Sequence, residues 1–117
     1  MSGVDVKSTM HDVGDSGTSV SGNNDKFLAV SGRVRLFNIW VSTGAMNKRT
    51  ATIVMKNGSD SGDILLKYDF NFCRWANPAN NIAIPGGGIV FPDGLYFDSG
   101  NGGTRYIDSV TFVYQQG

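Results

Sequence analysis

The chain holds a single imidazole, His11, and a single thiol, Cys73. Ser–His–Asp and Cys–His arrangements both need that one imidazole. A general base must be held within hydrogen-bond reach of its target, and His11 lies in a Gly/Ser-rich segment that is a poor holder. The expectation is an exposed or interface histidine. Cys73, next to Phe72 and Arg74, reads as a small buried or half-buried thiol rather than a nucleophile. Paired carboxylates can cleave glycosides, and Asp60/Asp63 and Asp93/Asp98 are the available pairs. All four stand in turn contexts, where Asp bonds the local backbone. No catalytic residue is assigned, and the chain is expected not to be an enzyme.

Ligand-binding patterns are equally sparse. Asn57-Gly58-Ser59-Asp60-Ser61-Gly62-Asp63 brings oxygen side chains close together, as hard-cation loops do, but lacks the terminal Glu of an EF-hand. Asp98-Ser99-Gly100-Asn101 is a weaker version of the same pattern. A lone cysteine assembles no zinc ligand set. Pro85-Gly86-Gly87-Gly88 resembles a phosphate cradle, yet the β-type run Ile89-Val90-Phe91 follows it where a helix would be needed. Neither metal nor cofactor is expected. Trp40, Trp75, Tyr96 and Tyr106 are candidates for a sugar-stacking platform. Trp40, central in an apolar run, reads as core. Trp75, between Arg74 and the loop at Asn77, reads as exposed and as an interface anchor.

The elements that must position these residues are short. Among 117 residues, sixteen are glycine and only 17% are charged, while 40% are hydrophobic, enough for one core. All ten acids are Asp, a turn and cap former, which points away from long surface helices. Ten basic residues balance the ten acids, without the basic excess of a sequence-independent nucleic-acid binder. No run reaches the roughly 18 apolar residues of a membrane span, and the N-terminus lacks a signal-peptide pattern. A soluble protein with neither nucleic-acid nor membrane partners is expected.

β-type runs separated by turn signals cover Lys26–Val30, Arg33–Thr43, Thr50–Lys56, Asp63–Phe72, Ile82–Ile84, Ile89–Phe91, Leu95–Phe97 and Thr104–Gln115. Asp63–Phe72 alternates most cleanly, with Ile64, Leu66, Tyr68, Phe70 and Phe72 on one face. Pro92-Asp93-Gly94 is a turn expected to close a hairpin between its flanking strands. About seven or eight strands without an amphipathic helix predict an all-β fold, an antiparallel sandwich or jelly roll, with a small barrel as the alternative. Two strands look apolar on both faces: Phe37, Ile39 and Val41 against Val34, Leu36 and Trp40; and Tyr106, Val110, Phe112 and Tyr114 against Ile107 and Val113. Either the N-terminal segment, a loop or curvature covers the second face, or another subunit does.

Residues 1–25 contain no aromatic residue, and four aspartates against one lysine leave a net charge of −3. So polar a segment cannot offset its own ordering entropy. It reads as an extended arm that orders on a partner, preceding a β-sandwich domain at 26–117. A free tail is the alternative.

Ile84-Pro85-Gly86-Gly87-Gly88-Ile89, then Phe91, Leu95-Tyr96-Phe97-Asp98 and Asp108-Ser109-Val110-Thr111-Phe112-Val113-Tyr114, form a pattern. It resembles small virion proteins of marine and cyanobacterial tailed phages. The likeness covers roughly residues 27–115, and its motifs are short and structural. It implies a location in the virion, assembled in the host cytoplasm, and a head decoration (cement) role, commonly trimeric, binding across subunits of the major capsid protein. A tail adaptor or fibre-base component is the alternative within phages, and a carbohydrate-binding module for host-surface recognition the alternative outside them. Under the leading reading, partner contacts draw on Val4, Val6 and Val13 in the arm and on Arg74 and Trp75 in the body.

Overall fold

A computed structural model describes residues 5–12, 26–43, 49–72, 79–99 and 107–117. Among the described residues nine strands are formed: β1 (Val6–Asp12), β2 (Lys26–Ser31), β3 (Val34–Thr43), β4 (Arg49–Asn57), β5 (Ile64–Phe72), β6 (Ala79–Ala83), β7 (Ile89–Phe91), β8 (Gly94–Asp98) and β9 (Ile107–Gln116). No helix occurs among the described residues. The strands make two antiparallel sheets packed as a β-sandwich, as the short runs and turn spacing predict. The first sheet has the order β1-β9-β3-β6, with β7 also pairing β3. The second has the order β2-β8-β4-β5.

The core lies between the sheets. Leu36 and Ile39 of β3, Phe112 of β9, Phe91 of β7, Phe97 of β8 and Ile53 and Met55 of β4 are all fully buried. The two-faced apolar pattern of β3 has a local cause. Leu36 pairs with Tyr114 and Asn38 with Val113, so Phe37 is an extra residue in β3. A bulge of one residue inverts the side-chain parity of a strand. Val34 and Leu36 face inward before it, Ile39 and Val41 after it. Trp40 is thereby turned out, 52% exposed. Its expected place in the core is corrected on that ground.

A second bulge changes β5. Met55 pairs with Leu66 and Lys56 with Ile64, leaving Leu65 as the extra residue. Ile64, expected on the buried face, is 57% exposed, while Leu65 and Leu66 both pack toward the core.

Pro92-Asp93-Gly94 does not close a hairpin. β7 pairs β3 in the first sheet and β8 pairs β2 and β4 in the second, so the turn is a corner between sheets. Gly94 makes the corner possible. Its φ is +133°, and a Cβ there would lie 2.9 Å from the Val30 carbonyl oxygen. The glycine run before β7 also serves backbone approach, since a Cβ on Gly88 (φ +88°) would lie 2.5 Å from the Leu36 carbonyl oxygen. That run leads into a strand, which removes the phosphate-cradle reading.

Seven residues of the predicted arm, Val6–Asp12, run antiparallel to β9 along the edge of the first sheet. Thr9 pairs with Phe112 and His11 with Val110, which brings these two side chains to the inner side of the sheet. The expected strand at Ile82–Ile84 lies earlier, at Ala79–Ala83.

Candidate functional site

The two outer faces of the sandwich are built differently. On the second sheet, Lys56 of β4 lies between two carboxylates. Its Nζ donates to Asp98 Oδ2 and Asp60 Oδ1, each at 3.1 Å, and to the Asp60 carbonyl oxygen at 2.9 Å. Lys26 approaches Asp60 from β2 at 3.7 Å. The hydrogen bonds to Asp98 and Asp60 raise the Lys56 pKa, and the bond from Lys56 lowers that of Asp60. Thr52 Oγ1 donates to Asp69 Oδ1 nearby. Asp60 thus faces two ammonium groups, which clasp the oxygen-rich turn to β2 and β4.

Of the paired carboxylates, Asp60 and Asp98 accept from Lys56 and Asp93 accepts from Asn57. Asn57 Nδ2 donates to Asp93 Oδ2 at 3.0 Å, while the Asp93 backbone N–H donates to Asn57 Oδ1 at 2.8 Å. The Gly58 N–H donates to the Gly94 carbonyl at 2.9 Å. The β4–β5 turn is therefore pinned to the corner between sheets. Among the described residues no group of His, Cys, Asp and Glu is placed to hold a metal ion.

His11, expected as an exposed or interface side chain, is half-buried at the sheet edge. Its ring lies 4.6 Å from that of Phe27 and 6.1 Å from that of Phe112, and its Nε2 shares a hydrogen bond with Thr9 Oγ1 at 3.2 Å. Burial lowers its pKa. The ring plugs the side of the sandwich where β1 and β2 are the sheet edges.

The outer face of the first sheet carries the more open arrangement. Trp40 pairs with Thr111 of β9 on one side and with Asn81 of β6 on the other. Thr111 pairs in turn with Met10 of β1. Since paired residues share a face, Met10, Thr111, Trp40 and Asn81 form a row across four strands. The adjacent row is Ser8, Val113, Asn38 and Ala83. Met10 is 58% exposed, and Asn81, Ala83, Ser8 and Ser42 are also exposed. Neither row contains a charged residue. Asn38 adds an anomaly: its Oδ1 is buried with no hydrogen-bond partner among the described residues.

No protein-family model, curated protein or solved structure matches the chain. The site therefore rests on its geometry. Of the residues predicted for partner contact, Val6 is on β1, 57% exposed, on the same outer face as Met10. Val4, Val13, Arg74 and Trp75 lie outside the described residues, as do Cys73 and Tyr106. Tyr96 is half-buried on the second sheet, paired with Leu28 and Lys56. Sequence reasoning missed Thr111 and Asn38, whose alignment with Trp40 depends on the bulge at Phe37, and Met10 and Asn81, which lie outside the runs read as strands.

Proposed function

We propose that the protein is a non-enzymatic structural component of a tailed-phage particle, of the head-decoration type, that binds across capsid subunits. The resemblance of residues 27–115 to small virion proteins is the starting point. The observation that carries the reading further is the placement of β1. Among the described residues this strand lies at the edge of the sandwich, paired on one side by β9, with Val6 and Met10 exposed along it. An edge strand offers backbone donors and acceptors to a neighbouring chain, and its apolar side chains supply the contact area. Such a strand suits a protein whose work is to add buried surface across a seam.

Quantitative mass spectrometry of purified virions tests this directly. A copy number in simple ratio to the major capsid protein is the expected result. A few copies per particle would move the protein to the tail or a vertex. Absence from the particle would overturn the structural reading.

A further inference from the structure

We infer that the outer face of the first sheet holds a binding site for neutral glycans, centred on Trp40. A pyranose ring has an apolar C–H face and a rim of hydroxyls. Its complement is an exposed aromatic surface flanked by uncharged groups that both donate and accept. Trp40 provides the first. Asn81 and Thr111, its direct cross-strand partners, provide the second, and Ser42, two residues along β3, adds a hydroxyl on the same face. Strand β3 is paired by β9 on one side and β6 on the other along this stretch, so the indole is mounted on a rigid interior strand.

Around Trp40 itself, inboard of the β1 edge, the face offers little apolar area to a protein partner. A stable protein interface buries about 800 Å² per partner around an apolar centre. The row from Met10 to Asn81 crosses three inter-strand gaps, about 14 Å. Its exposed large apolar side chains are one Trp and one Met, separated by Thr111. Surrounding serines and asparagines break up the apolar surface, and the charged positions of this face, Asp12 and Arg35, stand in the flanking rows rather than beside Trp40. Asn38, beside Trp40 on the same face, holds an amide oxygen with no partner among the described residues. Turning that amide outward exchanges a buried unpaired acceptor for a bond from a ligand hydroxyl. On the outer face of the second sheet the aromatic, Tyr96, is half-buried and pairs with Lys56, itself bound to Asp60 and Asp98.

This inference is independent of the virion reading, because it is tested on the purified full chain. Affinity electrophoresis through gels containing laminarin, galactomannan, xylan or dextran, with heparin as the charged control, gives the readout. Retardation by at least one neutral polysaccharide is expected. Trp40→Ala should weaken it at least tenfold, Trp40→Tyr should retain part of it, and both should unfold within a few degrees of the parent. Asn81→Ala provides the second variant, expected to weaken binding several-fold, and decides the matter if Trp40→Ala does not fold. Retardation by heparin alone, no retardation by any neutral polysaccharide, or unchanged binding in the folded variants would overturn the site. So would conversion of an oligomer to monomer by Trp40→Ala, which would make the face a protein interface.

Discussion

At the scale of single residues, His11 shows how a polar side chain becomes part of a packed edge. Its ring contacts Phe27 and Phe112, and burial lowers its pKa below the ordinary 6.5. The folded state therefore resists protonation that the unfolded chain accepts. Stability should be full above pH 6.5 and fall as pH drops from there through the lowered folded-state value. Asp60 and Lys56 do not blur this window. The contribution of Asp60 is present above its ordinary 3.8 and lost only as pH falls through a still lower value. That of Lys56 is present below its ordinary 10.5 and lost only as pH rises through a higher one. Thermal unfolding measured from pH 8 to pH 5 should show a falling midpoint in the parent. In His11→Gln the curve should be flatter. An equal slope in both would remove His11 as the source.

At the scale of elements, much of the sandwich is readable from alternation and turn chemistry. β2, β3, β4, β5, β7, β8 and β9 lie within a few residues of the runs that predict them. What alternation cannot reveal is a bulge, because one inserted residue leaves composition unchanged and inverts everything beyond it. Phe37 exchanges Trp40 for Ile39 and Val41 in the core, and Leu65 releases Ile64 to solvent. The candidate site was illegible for the same reason, since its row exists only in the bulged register. Strand β1 was hidden differently. Val6, Ser8 and Met10 alternate with Lys7, Thr9 and His11, which gives too little hydrophobic contrast to mark a strand. Its inward residues nevertheless cover Phe27 and Phe112, so deletion of residues 1–12 should do more than release an arm. The expected loss is roughly 2–3 kcal/mol, the scale of burying one large apolar side chain. It would be read from urea denaturation midpoints at unchanged m-value. A truncated chain as stable as the parent would mean that β1 contributes no net packing.

At the scale of the whole molecule, the chain repeatedly crosses between sheets. Among the described strands, only the β4–β5 and β6–β7 connections stay within one sheet, and only the first joins strands that pair with each other. Pairings such as Val6 with Gln115 and Val34 with Gln116 join residues far apart in the sequence. Closing such long loops costs entropy before any contact repays it, which places folding in the range of milliseconds to seconds. The order of events follows from the same cost. The β4–β5 hairpin, closed locally by the Asn57 N–H donating to the Asp63 carbonyl at 2.9 Å, can form early. Strand β1 has no other sheet partner than β9 among the described strands, and it docks on an edge that must already exist. The penalty of deleting residues 1–12 should therefore fall on the unfolding rate, with the folding rate nearly unchanged. Stopped-flow circular dichroism in urea would separate the two limbs. If the folding limb slows by the full loss in stability, β1 belongs to the nucleus, and the N-terminal strand directs assembly of the sandwich instead of closing it.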